Sequence, residues 1–369
     1  MAIRLLTFTY FLIAVFFTYK IGEYLWDRKT GLWAAGLTFL NTFFFAYAFE
    51  GRMYSILTAG VTASFYFFIR KNWVGYVIAT TLALYSHHFA IFAVFVQGLW
   101  FLKEFFWGSR KVAISIFKSS IAIGVLYSPW IIPLYNQTKM VGGGFWLGKP
   151  TLKDLISLLA KYLSLASVLF VARIWSKNWE KTLLLLSWFL IPITATWAVS
   201  QKFQSIFFDR YLLYTIPAAM LLAASNRRKI SEAILIIISM LLLVGDVYYF
   251  THPFKRPFRD LAAYVKETKK GDDYLINWNS TSHHLWESKY YGIGAPLYVP
   301  EGINLPFFVG TALMTKEDIT SSIPAKIDSK KVDRVGVITS GPVDEVNVSG
   351  YTKNEVREFG DLKFIWLNK

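Results

Sequence analysis

Residues 227–273 read RRKISEAILIIISMLLLVGDVYYFTHPFKRPFRDLAAYVKETKKGDD, and this stretch decides the fold. It opens on the basic triplet Arg227-Arg228-Lys229 and continues as an apolar run from 230 to 250. It then changes character: Phe258–Lys269 is helical in pattern, carries charge, and closes on Lys-Lys-Gly. The apolar run matches the ~20 residues that a helix needs to cross about 30 Å of hydrocarbon. The chain therefore divides into a membrane body, 1–250, and a tail, 251–369, with the pattern of a water-exposed domain.

Toward the N-terminus the same pattern of apolar run and charged turn repeats. Ten spans are expected, at 4–20, 31–49, 53–70, 73–86, 89–102, 112–133, 152–172, 182–199, 211–224 and 230–250. Helices are the natural choice, because hydrocarbon offers no partner to a bare backbone N–H or C=O. The composition agrees: of 369 residues 54% are hydrophobic and 17% charged, against about 25% charge in soluble domains. Phe, Tyr and Trp supply 18%, which suits a lipid-facing body with interfacial rings. A net charge of +15 on a soluble chain would raise nucleic acid as a partner; here the excess sits in turns, where membrane orientation explains it, and no nucleic-acid partner is expected. The absence of cysteine excludes disulfides, thiolate metal sites and a cysteine nucleophile.

The turns sort by charge. Arg28-Lys29, Arg70-Lys71, Lys103 with Arg110-Lys111, Arg173 with Lys177 and Lys181, and Arg227-Arg228-Lys229 form one set. Between them lie Glu50-Gly51-Arg52, Ser86-His87-His88, the loop 134–151 and the stretch 200–210. The positive-inside rule places the first set in the cytoplasm, and so puts the chain start and the tail outside, on a cell membrane. A start outside the membrane is what a chain missing an upstream hairpin would show. The tail reads as a small extracytoplasmic α/β domain, with strands at Tyr274–Trp278, Val335–Ile338 and Leu362–Leu367. The sequons Asn136-Gln137-Thr138, Asn279-Ser280-Thr281 and Asn347-Val348-Ser349 are common by chance and carry little weight.

Polar residues of the body gather in the outer set of turns. Glu50 and Arg52 flank a glycine with Tyr47 and Tyr54 nearby, either as a surface ion pair or as the wall of a polar site. His87 and His88 point in different directions; neutral imidazoles could bond a sugar or phosphate, or simply lipid headgroups. In Lys139-Met140-Val141-Gly142-Gly143-Gly144-Phe145-Trp146, glycines permit close backbone approach, Phe145 and Trp146 can stack on a sugar or an isoprenoid, and Lys139 suits a phosphate; a loop dipping into headgroups is the plainer reading. Asp209-Arg210-Tyr211 offers a guanidinium fork for a lipid-linked phosphate, with Lys202 an alternative, or an interfacial anchor pair. His252 and Arg256 add positive charge at the membrane exit, where no function is required of it.

Several of these stretches resemble the polytopic glycosyltransferases of the dolichyl-phosphate-mannose-protein mannosyltransferase type, glycosyltransferase family 39-like. Phe49-Glu50-Gly51-Arg52-Met53-Tyr54-Ser55 is similar to that family's Glu-Ala-Arg-Met-Tyr-like run, and Ala83-Leu84-Tyr85-Ser86-His87-His88-Phe89 to its Tyr-Thr-His-Tyr-Phe run. Gly142-Gly143-Gly144-Phe145-Trp146 and Arg210-Tyr211-Leu212-Leu213 extend the likeness over roughly residues 1–225, with a looser echo at Phe258–Tyr264 and Gly271-Asp272. The resemblance implies a GT-C-like fold and a membrane glycosyltransferase that moves a sugar from a polyprenyl-phosphate-linked donor to a protein, lipid or glycan acceptor at the outer face. It implies donor-phosphate contacts from Arg52, Lys139 and Arg210, and sugar or lipid contacts from Tyr54, His87, His88, Gly143, Gly144, Phe145 and Trp146. The family's first helix and first outer loop, with its essential acidic residue, are expected to be absent here. Glu50 is then the first stand-in for the catalytic carboxylate and Asp209 the second, although Glu50 is better suited to orient Arg52. Whether a divalent metal ion takes part is left open. The rival expectations are a transporter or flippase of a lipid-linked precursor, which would carry internal repeats, and a non-catalytic subunit.

Overall fold

The computed structural model describes residues 2–167, 179–225, 232–252, 255–278, 284–303, 305, 310–323, 326–327 and 330–369. The chain forms two compact units, Met1–His252 and Pro253–Lys369. Arg173, Lys177, the triplet Arg227-Arg228-Lys229, the sequon Asn279-Ser280-Thr281 and residues 168–172 of one expected span lie outside the described residues.

The first unit is helical: α1 Ala2–Leu25, α2 Arg28–Phe39, α3 Thr42–Ala48, α4 Tyr54–Ile69, α5 Trp73–Ser86, α6 Ala90–Trp107, α7 Arg110–Tyr127, α8 Ile131–Gly142, α9 Leu152–Leu163, α10 Trp179–Lys202, α11 Ile216–Ala224 and α12 Glu232–Thr251. Among the described residues five helical segments are long and apolar enough to cross a membrane, α1, α6, the continuous α7–α8 run, α10 and α12, and six if α2 and α3 count as one bent span. This makes the unit a multi-pass membrane domain, and it overturns the expectation of about ten transmembrane helices. The GT-C-like fold and the family 39-like identity, which call for that number of helices, fall with it.

The reasons are local. The run 31–49 is bent by 67° between α2 and α3, because the Asn41 side chain accepts from the Phe44 N–H at 3.0 Å and starts a new helix. The 16 residues of α4 and the 14 of α5 reach only about 24 and 21 Å. The turn joining them is set by Asn72, which accepts from the Gly75 N–H. The run 211–224 begins as a 3₁₀ turn, Asp209–Thr215, and leaves nine residues of α-helix. Helix α9 is amphipathic and opens on a Thr151–Asp154 capping box. The loop expected at 134–151 is helical as far as Gly142, so Lys139 and the sequon Asn136–Thr138 lie on α8.

Small residues let the helices touch. A Cβ on Gly22 would meet the Gly31 Cα at 2.7 Å, so the α1 and α2 backbones cross in direct contact. Deeper in, Phe65 stacks on Trp188 at 4.0 Å with 10° between planes, and the Trp188 N–H donates to the Tyr214 carbonyl at 3.0 Å. Basic residues gather at one end of the unit. Lys181 donates to the Leu25 carbonyl, Arg70 lies 4.7 Å from the Tyr24 ring centre, Lys103 pairs with Glu180, and Lys29 lies 3.9 Å from Glu232.

The second unit holds α13 Phe258–Thr268, α14 His284–Tyr291 and strands β1 Tyr274–Trp278, β2 Leu297–Tyr298, β3 Ile319–Thr320, β4 Lys326–Ile327, β5 Lys330–Lys331, β6 Arg334–Thr339, β7 Thr352–Phe359 and β8 Leu362–Asn368. A six-stranded mixed sheet runs in the order β3-β2-β1-β6-β8-β7, beside a separate β4-β5 pair. The first four strands of that order are mutually parallel, and β8 runs antiparallel to both its neighbours, β6 and β7. Leu275, Ile338, Phe364 and Trp366 pack against Leu261 and Val265 of α13 on one face. Ile276, Val335, Val337 and Ile365 pack with Val346 and Val348 on the other. Arg334 lies 3.7 Å from the Trp366 ring centre and pairs with Asp273 at 2.5 Å.

Candidate functional site

Helix ends bring the outer-turn residues together. Tyr54, at the start of α4, is 2% exposed. Its ring lies 5.6 Å from Tyr47, 6.0 Å from Tyr211 and 6.4 Å from His87, centre to centre. Glu50 pairs with Arg52 at 3.8 Å. Tyr47 is within electrostatic reach of Asp209, Glu50 and Arg210, and Tyr211 of Arg210 and Arg52. Three chain segments, 47–54, 87–89 and 208–211, thus converge around one set of charges.

Arg210 is held by rings rather than by carboxylates. Its guanidinium carbon lies 4.5 Å from the Phe208 ring centre and 5.9 Å from that of Tyr54. Its buried Nε has no hydrogen-bond partner among the described residues. Asp209 beside it accepts from Lys161 Nζ at 2.8 Å and from the Arg210 N–H at 2.8 Å. The Tyr162 hydroxyl donates to the Asp209 carbonyl and ties the segment to α9.

An apolar chamber of about 500 Å³ opens beside this cluster. Its walls include Met53, His87, His88, Phe145 and Tyr211, with Leu134 and Val141 of α8 closing one side. In His87 the Nδ1 accepts from the Phe89 N–H at 3.1 Å, which orients the ring against the wall. Trp146 meets Phe208 edge to face at 5.0 Å and Phe145 at 5.8 Å. On the far side of the 205–211 segment is a polar basin of about 350 Å³, lined by Lys149, Asp154, Ser157, Lys161, Phe208 and Asp209 among others.

Of the residues singled out in the sequence, Glu50, Arg52, Tyr54, His87, His88, Phe145, Trp146, Asp209 and Arg210 meet at the chamber and the cluster. Lys139, Gly143 and Gly144 lie outside the lining of both cavities. Gly144 takes a positive φ of +134°, which a side chain would disfavour. Lys161, Tyr162 and the basin wall were missed. The signal was the spacing Asp154, Ser157, Lys161, which puts polar groups on one face of a helix. Among the described residues no group of three or more His, Asp or Glu side chains is placed to hold a metal ion.

Fold and site together define a class: a multi-pass helical membrane protein with a C-terminal mixed-sheet unit, bearing an apolar chamber beside a charged cluster. Compared with known protein families and with curated proteins, the chain matches none of either.

Proposed function

We propose that the membrane unit transfers a sugar from a polyprenyl-phosphate-linked donor to an acceptor at the outer face of a cell membrane, the C-terminal unit being extracytoplasmic. The observation that carries this reading is the apolar chamber of about 500 Å³, lined by Tyr211, with the guanidinium of the adjacent Arg210 beside the rings of Phe208 and Tyr54. That pairing of a greasy hollow with a fixed cation fits an isoprenoid chain that ends in a phosphate. Arg52, 52% exposed at its side chain, supplies a second cation, and Glu50 orients it.

In this reading the acceptor hydroxyl oxygen attacks the anomeric carbon. The bond from that carbon to the phosphate oxygen breaks, and its electron pair leaves with the polyprenyl phosphate, whose negative charge Arg210 and Arg52 stabilise. The hydroxyl proton passes to the Asp209 carboxylate, which Lys161 Nζ holds at 2.8 Å. The orientation is supported by the basic turns: Lys29, Arg70, Lys103 and Lys181 lie at the opposite end of the helical unit from Glu50, His87 and Arg210.

The test is reconstitution of the full chain in liposomes with several polyprenyl-phosphate sugars. Glycosidic transfer with release of polyprenyl phosphate is expected. Movement of the intact donor across the bilayer without cleavage would replace this reading with that of a flippase, and no binding of any carrier would end both.

A further inference from the structure

We infer that the polar basin beside Asp209 is the acceptor site, and that the acceptor it takes is a saccharide. This rests on the proposed transfer reaction and names the second substrate's class. The stretch from Ser205 to Tyr211 is a partition: Ser205, Ile206 and Tyr211 face the apolar chamber, while Phe207, Phe208 and Asp209 face the basin. A base on the partition stands between a lipid compartment and a polar one, which is the arrangement a transfer between unlike substrates requires.

The basin's chemistry selects among acceptors. A lipid acceptor needs an apolar lining, and that lining is on the other side of the partition. A peptide acceptor is held through main-chain hydrogen bonds to an unpaired strand edge or through apolar pockets along a groove. The basin is instead bounded by α9, the loop 148–150 and the segment 207–209, none of them a strand. What it presents is two carboxylates, a hydroxyl, two ammonium groups and two aromatic rings within about 350 Å³. That lies near the small end of the roughly 300–1,000 Å³ of small-molecule sites. Charged and hydroxyl groups of both hydrogen-bonding senses beside aromatic rings are suited to a polyhydroxylated ring.

The wall is preorganised. Asp154 Oδ2 accepts from the Thr151 N–H and hydroxyl, each at 2.7 Å. Gln201 Nε2 donates to the Pro150 carbonyl at 2.7 Å and the Trp197 N–H to the Thr151 carbonyl at 3.1 Å. These contacts hold residues 150–154 against α10, so the basin's edge does not have to be ordered when a ligand arrives.

The test uses the full chain in nanodiscs and saturation-transfer NMR with three probes: a methyl glucopyranoside, a methyl glucuronopyranoside and a short Ser/Thr peptide. Farnesyl phosphate binding is measured in the same samples by tryptophan quenching. Saturation is expected to reach the ring protons of a glycoside and to fall at least fivefold in Ser157→Trp, which fills the basin from an exposed position. It is expected to fall also in Lys149→Ala, with farnesyl phosphate binding unchanged in both. Transfer to the peptide alone, no transfer to either glycoside, or full transfer in a Ser157→Trp protein that still binds farnesyl phosphate would overturn the assignment. If the glycoside binds and farnesyl phosphate does not, the saccharide site stands and the lipid-donor reading falls.

Discussion

Lys161 and Asp209, 48 residues apart in the chain, meet at 2.8 Å, and the next residue after the lysine, Tyr162, donates its hydroxyl to the carbonyl of the same aspartate. One turn of α9 thus holds both the side chain and the backbone of the carboxylate that lines the basin from the partition. If Asp209 is the base, Asp209→Asn should keep the shape, lose the proton acceptor, and lower the transfer rate by about 10²–10⁴-fold. Donor affinity should stay the same. Single-turnover transfer measured beside donor binding separates the two effects; an unchanged rate would move the base elsewhere, to Glu50 first.

Arg210 offers a different test. Its fork of donors is gripped by the rings of Phe208 and Tyr54, so charge and geometry can be separated by Arg210→Lys. The lysine keeps the positive charge and loses the fork and the stacked plane. Affinity for a farnesyl phosphate probe should weaken on the order of tenfold, or about 1.4 kcal/mol, as read by equilibrium binding. An affinity equal to that of the unaltered protein would mean that Arg210 does not touch the phosphate.

Away from the site, helices α4, α5 and α6 are clamped by a buried polar chain. Gln97 Nε2 donates to Ser64 Oγ at 2.8 Å, Ser64 Oγ meets Thr80 Oγ1 at 2.7 Å, and the Tyr76 hydroxyl donates to Gln97 Oε1 at 3.1 Å. Gln97→Leu removes two of these bonds and strands the Tyr76 hydroxyl. Interhelical bonds in membranes are worth roughly 0.6 kcal/mol on average and up to about 1.7. Stability in a detergent-unfolding titration should fall within that range, with no change in donor binding.

How much of this was legible in the sequence depends on whether a residue's partner is near in the chain. The apolar runs of α1, α6, α10 and α12 could be read directly, because burial in lipid asks only for length and composition. The break at Asn41 could not: its side chain caps α3 and also donates to the Tyr162 carbonyl, 121 residues away. A run of hydrophobicity hides such a break, and that inflated the span count. Thr151 and Asp154 form a capping box just where the expected span 152–172 begins. In the second unit β1, β6 and β8 announced themselves as apolar runs. The edge strand β7 did not, since its residues Thr352–Glu358 are exposed and mostly polar. In the site, Glu50, His87 and Arg210 stood out as polar residues in outer turns, whereas Lys161 matters only through Asp209.

The Asp318 carboxyl links the second unit's stability to pH. Burial pushes it up, but the ion pair with Lys289 at 2.5 Å and the bonds from Thr315 outweigh burial and hold it below the ordinary carboxylate value. A depressed folded pKa means that the unfolded chain takes up the proton first on acidification. The stabilising contribution is therefore complete above the ordinary value of about 3.9 and is lost as pH falls through the lower folded one. Hydrogen exchange of residues 315–320 in the full chain, corrected for intrinsic pH effects, should speed up across that window. In Asp318→Asn the step should vanish, and a step that persists would assign it to another carboxylate.

Gly336 sits mid-strand in β6, where a side chain has no room. A Cβ there would come within 2.5 Å of Phe364 Cζ, 2.6 Å of Leu275 Cδ2 and 3.0 Å of the Trp366 ring. All three are packed core groups, so none can swing aside without disturbing the face against α13. Gly336→Ala should destabilise the second unit by about 1–3 kcal/mol, the usual cost of overpacking. Gly271, by contrast, has nothing within 4 Å of the position its Cβ would take, and Gly271→Ala should be close to neutral. Hydrogen exchange at β6 and β8 in the full chain would rank the two. Equal protection in both variants would mean that the sheet relaxes around Gly336 and that its core is looser than the packing of Phe364 and Trp366 implies.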